Sequence, residues 1–175
     1  MRRYCRVYQD DIAIFYTAKE DQFITSLCDA EKVCKYTWCL GKDGYFVTWI
    51  NNKMHKLQHF IFGKYKGLFI DHINGNKSDN RRCNLRTANY SQNSWNSNIP
   101  KNNSSGFKGV KYEKRRNYWV ATIWYKYRPI YLGAYSNKES AALRYNEAAK
   151  ELFGKYACLN PIGNTEGYRI CKGGI

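Results

Sequence analysis

Gly67-Leu68-Phe69-Ile70-Asp71-His72 opens the stretch that decides the fold; Ile73-Asn74-Gly75-Asn76-Lys77-Ser78-Asp79-Asn80-Arg81-Arg82-Cys83-Asn84-Leu85-Arg86-Thr87 completes it. The first four residues read as a short apolar strand ending on an acid and a histidine. Residues 73–80 form a polar loop rich in turn residues. Asn84-Leu85-Arg86-Thr87 then pairs back as a second strand. In the next segment Asn89, Asn93 and Asn96 recur at i, i+4 and i+7, so a helix there places all three on one face. Helix propensity gives no reason for so many asparagines.

Hydrolysis of a phosphodiester needs a base to activate water and a cation to stabilise the charge developing on phosphate. Histidine titrates near neutrality and suits the base. Carboxylate and amide oxygens suit Mg²⁺. A strand–loop–strand–helix element beginning at Asp71-His72 brings such groups together. Asp-His alone is a weak signal, because a histidine at a strand end is more often structural.

The combination is more specific. Asp71-His72-Ile73-Asn74-Gly75-Asn76, Asp79-Asn80-Arg81-Arg82-Cys83-Asn84-Leu85-Arg86 and Ser91-Gln92-Asn93 resemble the His-Asn-His (HNH) homing endonucleases in residues and spacing. The resemblance implies a ββα-metal module, a β-hairpin and a helix around one divalent ion. It assigns His72 as general base, Asp71 and Asn93 as metal ligands, and Asn84 as the residue that holds the hairpin loop and orients His72. Arg81, Arg82 and Arg86 become candidate phosphate contacts. The implied ion is Mg²⁺ or another divalent cation such as Mn²⁺. Many members carry a Leu-His step upstream. The matching stretch is Leu57-Gln58-His59-Phe60-Ile61, so Gln58 takes the place of that histidine, and His59 and His55 stand either as its substitute or as structural, partly buried histidines.

The chain around this stretch has 175 residues, 29 Lys+Arg against 14 Asp+Glu, and a formal charge of +15. Residues 1–50 hold 7 of each sign, residues 51–100 hold 8 against 2, and residues 101–175 hold 14 against 5. The whole excess therefore lies after residue 50, which points to a polyanionic partner rather than a uniform solubility coat. No apolar run is long enough to span a bilayer. The start, Met1-Arg2-Arg3-Tyr4-Cys5, lacks a following apolar stretch, so an intracellular protein is expected, located where the DNA is. In that setting the seven cysteines read as reduced thiols. With no Cys-x-x-Cys pair, no structural zinc is expected. Neither a membrane nor a small-molecule cofactor is expected as a partner, and monomer and dimer both remain open.

Residues 97–105 are polar, with Pro100 and Gly106 at the edges, and read as a linker. This places an N-terminal domain at 1–96, a second domain at 106–160 and a loose polar tail at 161–175. Residues 1–50 resist a strand-by-strand reading, apart from a β-rich run at 44–50. Residues 54–62 fit either a continued strand or a short helix.

The second domain reads as three short antiparallel strands, 107–112, 118–125 and 130–135, rich in β-branched and aromatic residues. A helix follows, with Ser136-Asn137-Lys138-Glu139 as a capping box and Gly154 as its stop. Trp119 reads as core. Ser105-Gly106-Phe107-Lys108-Gly109-Val110, Trp119-Val120-Ala121, Ile130-Tyr131-Leu132-Gly133, Ala141-Ala142, Ala148-Ala149-Lys150 and Leu159-Asn160 resemble the Apetala/ethylene-response-factor (ERF) DNA-binding domain. That likeness implies that the sheet enters the major groove of double-stranded DNA, with Lys108, Lys111, Trp124 and Tyr131 at contact positions. Arg115, Arg116 and Arg128 are loop candidates for phosphate.

The fold class expected is α+β, an HNH module followed by a three-stranded sheet packed on one helix. The function expected is a metal-dependent DNA endonuclease of a mobile, phage or large-virus type. A non-catalytic DNA-binding regulator with a decayed nuclease module is the alternative. An RNA-binding protein, its aromatic sheet stacking single-stranded bases, is the third reading.

Overall fold

Ile12–Tyr16 (β2) and Gln22–Ser26 (β3) form an antiparallel pair in which Phe15 faces Phe23, with the rings stacked 5.0 Å apart. Cys5–Tyr8 (β1) flanks β2 on the other side. The computed structural model describes residues 5–8 and 11–171. The basic start at 1–4 and the last four tail residues lie outside the described residues. The chain divides into two units, residues 1–90 and 91–175.

In the first unit, Ala30–Cys34 (α1) follows β3. A small sheet of Cys39–Leu40 (β4), Phe46–Ile50 (β5) and Lys53–Lys56 (β6) comes next. Asn51 and Asn52, both at positive φ, make the tight turn between β5 and β6. The segment that fitted strand or helix contains both, since β6 runs directly into Leu57–Phe62 (α2). Phe69–His72 (β7) pairs antiparallel with Leu85–Ala88 (β9), and between them Asp79–Asn80 (β8) pairs parallel with β3. One core joins β2, β3, α1, β5, α2 and the β7–β9 pair. Ala13, Phe15 and Phe23 meet Trp38, Phe46, Leu57 and Ile61, and Ile70 and Leu85 anchor the β7–β9 pair to it.

Tyr90–Trp95 (α3) follows, and the division between units falls one residue into it. In the second unit Val110–Glu113 (β10), Tyr118–Tyr125 (β11) and Arg128–Tyr135 (β12) form an antiparallel sheet in that order. Leu132 is an extra residue, because Ala121 faces Gly133 while Thr122 faces Tyr131. Lys138–Phe153 (α4) covers one face, where Ala141, Ala142, Ala148 and Ala149 permit close approach. The expected capping box is displaced by one residue. Asn137 is the N-cap, and its Oδ1 accepts the Ser140 N–H at 2.7 Å. The helix stops at Gly154.

The first strand starts later than expected, at Val110. Gly109 has φ +73, and a Cβ there would lie 2.1 Å from the Tyr145 ring, so only glycine fits. The segments expected as linker and loose tail are packed into this unit. Ile99 is buried with Cys158 and Cys171, and Arg169 donates to the Asn96 carbonyl and to Asn98 Oδ1. Arg169–Ile170 (β14) pairs parallel with Cys158–Leu159 (β13). One buried isoleucine and one buried cysteine outweigh the polarity of their neighbours. Among the described residues no helix is long and apolar enough to cross a membrane.

Candidate active site

β7 carries Asp71 and His72 to the end of the hairpin, where Asp71 faces Arg86 and His72 faces Leu85. Both are buried, at 8% and 4% exposure, although one is an acid and the other titratable. A polar network accounts for this burial. The Asn84 side chain spans the loop. Its Oδ1 accepts the Asn74 N–H (2.9 Å), and its Nδ2 donates to Asn74 Oδ1 (3.0 Å) and to the Asp79 carbonyl (2.7 Å). The ladder continues through Ile73 N–H to the Asn84 carbonyl.

The tautomer of His72 follows from Asn80. Asn80 Nδ2 donates to the Lys77 carbonyl (3.0 Å), which turns Oδ1 toward His72 Nε2 at 3.2 Å. An amide oxygen only accepts, so Nε2 carries the proton and the basic lone pair of neutral His72 is on Nδ1. Burial holds this imidazole below the ordinary histidine range, against the Asn80 hydrogen bond and the charges of Asp71 and Asp79. This shift favours the neutral imidazole, the form a general base requires.

The three arginines expected at phosphate are each engaged with a carboxylate. Arg81 grips Asp79 through Nε (2.8 Å) and Nη2 (2.7 Å). Arg82 grips Asp29 through Nε and Nη2, both at 2.8 Å, and also reaches the Ile61 carbonyl. Arg86 bonds Asp71 Oδ2 through Nε (2.9 Å) and Nη2 (2.8 Å). The Arg81 and Arg86 pairs lie within the hairpin, and the Arg82–Asp29 pair ties it to the residues after β3. Sequence spacing gives no sign of Asp29, 53 residues from Arg82.

His59 lies on α2 with a buried Nδ1 that has no hydrogen-bond partner among the described residues. Burial, then the Lys64 charge, lowers its pKa. Gln58, at the expected histidine position, is buried on the same helix. Asn93 is an exposed residue of α3, in the second unit. The parts that Asn80 and Asn74 play emerge only in the folded loop. Their signal was the density of side-chain amides in a loop that closes on a histidine.

In the second unit Lys111, Trp124 and Tyr131 stand on the sheet face away from α4, and both rings are 64% exposed. Arg115 and Arg116 are exposed in the turn after β10, and Arg128 is exposed at the start of β12. Lys108 is not on that face. It precedes the left-handed Gly109, outside the strand, and its Nζ donates to the carbonyls of Trp95 and Ser97, both at 2.8 Å. Burial lowers its pKa.

The HNH endonuclease family profile matches residues 62–95, the segment that holds Asp71, His72, Asn84 and Asn93. Over 140 residues the chain is 39% identical to a protein of Acanthamoeba polyphaga mimivirus described as an uncharacterized HNH endonuclease, covering 74% of this chain and 70% of that protein. The chain belongs to the HNH endonuclease family. This HNH endonuclease is also 47% identical over 58 residues to Protein 3.8 of Escherichia phage T7, across 33% of its own length and 48% of the phage protein. No solved structure matches it.

Proposed function

We propose that this endonuclease cuts DNA by divalent-metal-assisted hydrolysis at Asp71-His72. The observation that carries the reading is the orientation of His72, buried at the hairpin end with its basic lone pair on Nδ1. His72 Nδ1 takes a proton from water, and the resulting hydroxide attacks phosphorus as the bond to the 3′ oxygen breaks. Asn80 holds the imidazole and Asn84 holds the loop beneath it. The family likeness offers Asp71 and Asn93 as ligands, one a carboxylate and the other a carboxamide oxygen, each a hard donor of the kind Mg²⁺ or Mn²⁺ takes. An ion held there would offset charge developing on the phosphate and the leaving oxygen.

The second unit serves as an ERF-type module that holds duplex DNA. A three-stranded sheet backed by α4, with Lys111, Trp124 and Tyr131 on the open face, supports this reading. A cutting module joined to a holding module is the organisation of a mobile, homing-type endonuclease. The test is nicking of supercoiled plasmid with Mg²⁺ and with EDTA. His72→Ala is expected to abolish nicking while keeping DNA binding. Nicking by that variant at the wild-type rate would remove His72 from its role.

A further inference from the structure

Arg81, Arg82 and Arg86 are all bonded to acids, which turns attention to the other cations near His72. Tyr45 packs beside His72, ring centroids 6.0 Å apart. Two ammonium groups lie over the Tyr45 ring, Lys56 Nζ and Lys77 Nζ, each 4.3 Å from its centroid. They arrive from different elements, Lys56 from the end of β6 and Lys77 from the loop before β8.

Asp43, two residues before Tyr45, anchors both. Its Oδ2 pairs with Lys56 Nζ at 2.6 Å, and its backbone carbonyl accepts from Lys77 Nζ at 2.7 Å. Its Oδ1 also accepts the Tyr45 N–H at 3.3 Å. The cluster therefore carries two positive charges against one carboxylate. Among the described residues Lys77 forms no ion pair with an acid, and its residue is exposed. Each ammonium has three donors, so hydrogen-bonding capacity remains beyond these bonds. Holding two flexible lysine stems over one ring costs side-chain entropy, and an exposed cation–π contact returns only part of it. A fixed pair of cations one ring away from the base is suited to a bound anion.

We propose that Lys56 and Lys77, held over Tyr45, form a binding subsite for a backbone phosphate of the strand being cut, with Tyr45 as the positioning residue that fixes both cations beside His72. This rests on His72 being the base of the reaction. The subsite holds a phosphodiester next to the scissile one and so sets how the strand lies across the hairpin.

The test uses the full chain in two backgrounds. In His72→Ala, which removes cleavage, binding of a short duplex is measured across a series of salt concentrations. Lys77→Gln is expected to reduce the slope of log affinity against log salt by about 1, and the double variant with Lys56→Gln by about 2. Lys77→Arg is expected to restore it. In the cleaving protein with Mg²⁺, Lys77→Gln is expected to raise KM roughly fivefold and leave kcat within about twofold. Tyr45→Phe keeps the ring and is expected to match wild type, whereas Tyr45→Leu is expected to raise KM as the double variant does. Should Lys56→Gln fail to fold, the exposed Lys77 alone still decides the question. An unchanged salt slope in Lys77→Gln, or a loss confined to kcat, would overturn the subsite. The slope is read without cleavage, so it stands apart from the fate of the His72 assignment.

Discussion

Arg86 faces Asp71 across the β7–β9 ladder, and its Nε and Nη2 both converge on one carboxylate oxygen, Oδ2, at 2.9 and 2.8 Å. A divalent ion bound by Asp71, as proposed, would share that carboxylate with a guanidinium. Removing the arginine takes a positive charge from beside the ion and leaves a buried acid without this partner. Arg86→Met is therefore expected to lose about 3–5 kcal/mol of stability without metal. Added Mg²⁺ is expected to recover part of it, raising Tm more in the variant than in wild type. Thermal melts with and without Mg²⁺ measure this, and an equal rise in both proteins would contradict it.

Asn80 fixes the tautomer of His72 through a single hydrogen bond, and its own orientation is set by the Lys77 carbonyl. Asn80→Ala removes the acceptor at Nε2 and lets the ring turn. The expected loss is about tenfold in kcat, the equivalent of roughly one net hydrogen bond, with duplex affinity kept. Single-turnover nicking beside a binding titration separates the two quantities.

Asn84 bridges the loop by three hydrogen bonds from a buried side chain. Asn84→Asp keeps the shape but replaces the donor that reaches the Asp79 carbonyl. A destabilisation of about 1–3 kcal/mol is expected from urea unfolding. Nicking activity should fall with it, even at temperatures where the variant is fully folded.

Burial, together with the Lys64 charge, keeps the His59 imidazole below the ordinary histidine range. The unfolded chain then binds the proton at higher pH than the folded one. Stability is accordingly full above the ordinary value of about 6.5 and is lost as pH falls through the folded value. His59→Gln removes this contribution. Its Tm is expected to depend less steeply on pH below about 6.5 than that of wild type, and parallel curves would contradict the assignment.

Trp124 and Tyr131 expose their rings on one face of the second unit's sheet. Replacing both with alanine is expected to weaken duplex binding roughly tenfold or more. At saturating DNA, kcat should remain close to wild type. Equal affinity of the variant and wild type would remove this face from DNA binding.

What could be read directly from the chain was local. Asp71, His72 and Asn84 lie within one hairpin, and the apolar strand before them and the loop after them carry their own turn chemistry. The strands of the second unit were legible for the same reason. Partners distant in sequence were not. Arg82 reads as a surface cation until Asp29 is folded against it. The first strands were hidden because Ile12 and Ile14 on the outer side are as apolar as Ala13 and Phe15 on the inner, so no alternation shows. Lys108 was misplaced by the left-handed Gly109, which delays the strand. The helix cap was misplaced because Ser136 and Asn137 are both good caps, and only packing chooses between them.

The parallel pairing of β8 with β3 means that the cutting element is not a cassette. The family match begins at residue 62, yet the hairpin loop is held by groups outside it. The Ile24 N–H donates to the Ser78 carbonyl, Ser26 Oγ accepts the Arg82 N–H, and Asp29 receives the Arg82 guanidinium. Transplanting residues 62–95 alone into another scaffold would strand Arg82 and leave the edge of β8 uncovered. A transplant of the hairpin loop therefore has to carry residues 12–29, the β2–β3 hairpin together with Asp29, along with it.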